Sequence, residues 1–125
     1  MIIYLYDYER SIMKSTEQGR LAEEKAAEYL KGQDYKIIDR NWRNRYCEID
    51  IIATKSRVMY FVEVKYRASP AHGEGFDYIT PKKLKQMSFA SDSWCTENRY
   101  SGGRQLLAIS VSGDNCQDIE LIEIT

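Results

Sequence analysis

Residues 47–65 read CEIDIIATKSRVMYFVEVK. Residues 47–53 and 58–65 have the β-branched and aromatic content of strands, joined by Thr54-Lys55-Ser56-Arg57. Strands avoid Asp, Glu and Lys, yet Glu48, Asp50, Glu63 and Lys65 interrupt these two. Side chains alternate faces along a strand, so Glu48, Asp50 and Ile52 share one side. Ile49, Ile51 and Ala53 share the other. On the second strand Met59, Phe61, Glu63 and Lys65 oppose Val58, Tyr60, Val62 and Val64. A hairpin loop with an even number of residues joins Ile49, Ile51 and Ala53 to the Val58, Tyr60, Val62 and Val64 face. The same register gathers Glu48, Asp50, Glu63 and Lys65 on the reverse. An odd loop would put charge into the apolar face, so burial selects the even register and clusters the carboxylates. Clustered strand carboxylates suit metal-dependent phosphodiester chemistry.

The chain around this hairpin is 125 residues long, 43% hydrophobic and 30% charged. That is enough for one domain over residues 1–125, with 1–14 as an N-terminal arm. Net charge is -1, so contact with nucleic acid must come from a local basic patch. Cys47, Cys95 and Cys116 lack CxxC spacing, which points to inert thiols in a reducing cytoplasm rather than a zinc site or disulfides. No apolar run approaches a membrane span, and the apolar start lacks a basic lead and a cleavage pattern. A cytoplasmic protein without a membrane partner is therefore expected.

Residues 16–31 predict a helix capped by Thr16 or Ser15 and followed by Gly32. Gly19, Ala22, Ala26, Tyr29 and Leu30 form its inward stripe, and Glu23 is the acid that borders the core. Tyr35–Asp39 is a short strand, and R-N-W-R-N-R-Y a basic turn after it. Residues 68–78, with Pro70, Gly73 and Gly75, are a loop that also holds His72, the single histidine. Thr80 and Pro81 open a second helix to about Thr96, with Leu84, Met87, Ser91 and Trp94 inward. Strands follow at 105–112 and 118–124. The order αβββαββ is a mixed α/β arrangement with helices covering a central sheet.

These motifs resemble the YraN-like family within the PD-(D/E)XK nuclease superfamily, over roughly residues 19–94. Its pattern is met by Gly19, Ala22 and Glu23, by Arg40 and Asn41, by C-E-I-D-I-I-A, by Val62 to Arg67, and by Gly73, Thr80 and Lys83. Two positions depart from it: Cys47 stands where the family has Gly, and Arg104 precedes Gln105-Leu106-Leu107 in place of Arg-Phe-Asp. The resemblance implies a restriction-endonuclease-like fold, with a mixed central sheet flanked by helices.

It also implies a Mg²⁺- or Mn²⁺-dependent endonuclease acting on DNA, with branched or structured DNA as substrate and a homodimer as the assembly. By the same resemblance Asp50, Glu63 and the backbone carbonyl of Val64 hold the metal. Glu23 approaches as a third acid, and Lys65 orients the attacking water or neutralises the phosphate. Glu48 is either a further acid for the site or a charge at the strand start. Arg40, Arg43 and Arg45, with Trp42 and Tyr46 interleaved, read either as a phosphate and stacking surface or as a solvated turn. Asn41 accompanies them as a nucleic-acid contact. Arg67 would hold phosphate. Lys82, Lys83 and Lys85, near a helix N-terminus, suit either an incoming phosphate or a solvated face. Two other classes compete with an enzyme: a nucleic-acid-binding module of the same fold with little or no cleavage, and a structural adaptor.

Overall fold

Glu17–Gly32 forms helix α1. Ala22, Glu23, Ala26, Ala27 and Leu30 recur at the three- and four-residue spacing that makes one helical stripe, and all are buried. Three of the five are alanines, which lets the helix axis approach the sheet closely. Ala27 takes the buried place expected for Tyr29, which is only half-buried. The helix end also differs from expectation. The left-handed residue is Asp34, at φ 70°, rather than Gly32. The amide N–H of Tyr35 then donates to the Leu30 carbonyl and turns the chain into the sheet.

This computed structural model describes residues 17–67 and 76–124. The N-terminal arm, the Ser15 or Thr16 cap, and Pro70, His72, Gly73 and Gly75 lie outside the described residues.

Strand β1 spans Lys36–Arg43, β2 Glu48–Lys55 and β3 Val58–Arg67. β1 is longer than expected and absorbs Arg40-Asn41-Trp42-Arg43, residues whose sequence predicts a turn. Pairing with β2 explains the extension: Arg40 faces Ile51, Trp42 faces Ile49 and Arg43 faces Glu48. A bulge between Ile37 and Asp39 shifts the register by one residue and leaves Ile38 exposed. The turn proper is 44–47, where the Asn44 side-chain oxygen accepts from the amides of Tyr46 and Cys47.

The β2–β3 hairpin has a two-residue connection, Ser56-Arg57. Both residues have positive φ, 51° and 67°, as a type I′ turn requires. The loop is even, and Ala53 lies opposite Tyr60 and Ile51 opposite Val62, as burial demanded. The alternation fails beyond that point. Ile51 and Ala53 pack on the α1 side, but Ile49 joins Cys47, Ile52 and Phe61 in the opposite layer. Ile49 therefore does not share the face of Ile51. The strand turns over between them, at Asp50. The neighbouring position on β1, Asn41, has φ 54°, a conformation that Asn tolerates better than most residues.

Helix α2, Pro81–Glu97, starts on Thr80, whose Oγ1 accepts from the Lys83 amide at 3.1 Å. Met87, Ser91 and Trp94 are buried as expected, joined by Ala90 and Cys95. Strands β4 (Gly103–Ser112) and β5 (Asp118–Ile124) complete a five-stranded sheet in the order β1-β2-β3-β4-β5. Only β3 and β4 are parallel; the other neighbours are antiparallel. α2 supplies the crossover that a parallel pair needs.

The two helices cover opposite faces. Against α1 lie Ile51, Ala53, Val62, Val64, Leu107, Ile109 and Val111. Against α2 lie Ile52 and Phe61, with the Phe61 and Trp94 rings edge-on at 5.6 Å. This mixed α/β sandwich, in the order αβββαββ, is consistent with a restriction-endonuclease-like fold. Among the described residues, no helix is long and apolar enough to cross a membrane.

Candidate functional site

Asp50 is wholly buried at the point where β2 turns over. Its Oδ2 accepts a hydrogen bond from the Val64 amide at 2.7 Å. The β2–β3 pairing ends at Ile51–Val62, so this side chain continues the tie between the strands beyond the backbone ladder. It also brings Asp50 to the residue that follows Glu63. A buried carboxylate needs such donors, because burial without a partner is costly.

Glu63 is buried on the α2 side of β3. Its Oε2 lies 3.0 Å from Nζ of Lys83, and the two side chains are only 5% and 14% exposed. Lys83 therefore points into the site, which removes the solvated-face reading for this lysine. Lys82 and Lys85 remain exposed on the outer side of the helix. Glu48 lines the same small cavity as Glu63, with Ile49, Phe61, Val62, Met87 and Ala90. That favours Glu48 as part of the acidic site over a simple strand-start charge.

Glu23 is buried as expected, but it belongs to α1, on the face of the sheet opposite α2. It does not complete a cage. Among the described residues, no three His, Cys, Asp or Glu side chains group closely enough to hold a metal ion. Two carboxylates are nevertheless a sufficient protein contribution for Mg²⁺, which keeps several of its waters. The oxygen donors of Asp50 and Glu63 suit Mg²⁺ or Mn²⁺ better than a softer metal. The Lys83 ammonium already stands as a cation against Glu63. Asp50 and Glu63 are thus two buried acids of the donor type that such an ion takes, with no third acid grouped with them among the described residues.

Further along the same face of β3, Lys65 and Arg67 converge on one ring. Nζ of Lys65 is 5.9 Å from the Tyr78 centroid, and the Arg67 guanidinium carbon 6.0 Å. Tyr78 lies in the turn before α2 and was not anticipated from the sequence. An aromatic residue in a loop carries no periodicity that would single it out.

The expected basic surface on β1 divides. Arg40 is engaged by Glu24 at 3.4 Å, and Trp42 packs against the α2-side core, so neither belongs to an open stacking surface. Asn41, Arg43 and Arg45 are exposed. Arg45 lies 5.3 Å over the ring of Tyr46, which is 51% exposed. This Arg43, Arg45 and Tyr46 group is what remains of that surface.

Sequence comparison places this arrangement among relatives of similar length. A protein of Leifsonia xyli subsp. xyli is 40% identical over 99 residues, covering 78% of this chain and 84% of the relative. One from Cytophaga hutchinsonii is 30% identical over 113 residues, covering 90% and 99%. One from Sulfurihydrogenibium is 39% identical over 90 residues, covering 72% and 78%. Each is a UPF0102 protein. The family described as uncharacterised protein family UPF0102 matches residues 22–122, which include Glu23, Asp50, Glu63, Lys65 and Lys83. The chain belongs to the UPF0102 (YraN-like) family.

Proposed function

We propose that this protein is a metal-dependent endonuclease of the PD-(D/E)XK type, hydrolysing phosphodiester bonds in DNA, with branched or structured DNA as its substrate. One observation carries the reading: Asp50, where β2 turns over, and Glu63, on the adjoining β3, are both buried carboxylates, with Lys65 and Arg67 next along β3. Buried acids on a strand oppose both β-propensity and desolvation, and a bound cation would offset that cost.

In this reading Asp50 and Glu63 hold a Mg²⁺ or Mn²⁺ ion. When bound, the ion supplies Lewis-acid activation of water and charge neutralisation at the phosphate. Asp50 is fixed for its role by the Val64 amide, so its orientation does not have to be organised when substrate arrives. Lys65 brings a positive charge to the phosphate as negative charge develops there. Arg67 offers a planar fork to a second pair of phosphate oxygens. Tyr78 keeps both cations on one side of the strand. Arg43, Arg45 and Tyr46 extend the contact to the flanking nucleic acid. A homodimer would present two such sites to two strands.

The second reading is a nucleic-acid-binding module that does not cleave. It is favoured by the absence, among the described residues, of a three-acid group. One experiment separates the two. The protein is incubated with four-way junction, flap, single-stranded and duplex DNA, with Mg²⁺, Mn²⁺ or chelator, beside Asp50→Ala and Lys65→Ala. Metal-dependent cleavage lost in both variants supports the endonuclease. Binding without cleavage supports the module, and cleavage that survives both variants overturns the site.

A further inference from the structure

We propose that Lys83 is a built-in counter-ion that occupies the cation subsite of Glu63 and is displaced when a divalent ion binds. The inference rests on the metal-dependent reading above. Lys83 is held by Glu63 at 3.0 Å, with both side chains largely removed from water. An ammonium in the first turn of a helix opposes the helix dipole. The Glu63 carboxylate offsets that cost at 3.0 Å. Glu63, in turn, would be a buried anion with a lost counter-charge if Lys83 were removed.

A divalent ion on Glu63 would lie within a few ångströms of the ammonium, and two cations at that separation repel strongly in a low-dielectric site. Lysine can yield because its charge sits on a flexible four-carbon stem. The displaced ammonium would then be free to meet an anion. The Lys83 amide stays fixed by Thr80 throughout, so the side chain moves while the helix start does not. Two consequences follow. Lys83 lowers the affinity of the empty site for metal, and metal binding changes the exposure of Lys83.

The test uses the full chain without DNA. Mn²⁺ binding is followed by calorimetry and by the loss of free-ion electron paramagnetic resonance signal, for wild type, Lys83→Met, Lys83→Gln and Lys83→Arg. Lys83→Met and Lys83→Gln should bind Mn²⁺ about tenfold tighter than wild type or more, a difference well resolved on the affinity scale. Lys83→Arg keeps the positive charge and should not gain. In the wild-type protein, reductive methylation of Lys83, read by mass spectrometry, should accelerate on addition of Mn²⁺. That second measurement holds even where a variant fails to fold. If wild type binds Mn²⁺ but the neutral variants bind no tighter, or if Lys83 reactivity is unchanged by bound Mn²⁺, the counter-ion role is overturned and the metal site stands. If no folded form binds Mn²⁺, both fall together.

Discussion

The carboxylate of Asp50 stands in for a backbone acceptor: its Oδ2 accepts a hydrogen bond from the Val64 amide at 2.7 Å in a fully buried position. The structural and chemical roles of Asp50 can therefore be separated. Asp50→Ala leaves the Val64 N–H without this acceptor, at a cost of about 1–3 kcal/mol. Asp50→Asn retains an acceptor oxygen and should lose less. Urea unfolding should rank wild type and Asn above Ala, while DNA cleavage is lost in both variants.

Tyr78 holds Lys65 and Arg67 by its ring face, at 5.9 and 6.0 Å. Contacts of this kind are worth about 0.5–1 kcal/mol at exposed sites. Tyr78→Leu should weaken DNA binding by roughly two- to fivefold, measured by fluorescence anisotropy in chelator. Tyr78→Phe keeps the ring and should bind as wild type does.

The Ser56-Arg57 turn sets two non-glycine residues at positive φ. Replacing them with Asn-Gly suits the same type I′ geometry and should raise unfolding stability by about 1 kcal/mol. The turn lies at the end of the hairpin away from Asp50, so activity should not change.

Alkaline pH should destabilise the protein through its thiols. Burial pushes the Cys116 thiol above its ordinary 9.0, outweighing the opposite pull of Lys25. Burial does the same for Cys95 against the pull of Arg104. A folded-state value above the unfolded one means that the unfolded chain gives up its proton first. The contribution is fully present below the ordinary thiol value and is lost as pH rises through the folded value. Melting temperature should therefore fall above about pH 9. Cys116→Ser and Cys95→Ser should each flatten that decline.

Much of this architecture was legible because burial constrains parity. The even loop and the Ile51–Val62 face follow from one requirement, that charge stay out of the apolar layer. The side taken by Ile49 was not legible. It depends on the turnover at Asp50 beside a left-handed Asn41, and alternation contains no mark of either. The reach of β1 to Arg43 was hidden as well, since R-N-W-R has little apolar alternation and becomes a strand through pairing with β2. Lys83 is different: it lies four residues before Met87, on the stripe that continues through Ala90, Ser91 and Trp94. That spacing was available in the sequence. Lysines near a helix start suit a phosphate or solvent equally well, and neither reading points to a buried partner on β3.

The single parallel pair has a consequence for the order of assembly. α1, β1, β2 and β3 are sequential neighbours, and their antiparallel pairings close over short stretches of chain. The β3–β4 pairing joins Val58 to Gly103 and must wait for α2 to cross the sheet. Local contacts form faster than distant ones. Contact order therefore predicts that the β2–β3 hairpin, with Asp50 and Glu63 on it, pairs before Lys83 has its place. On that order, docking of α2 brings the Lys83 ammonium to Glu63 only once the chain has crossed the sheet, which ties completion of this ion pair to completion of the fold.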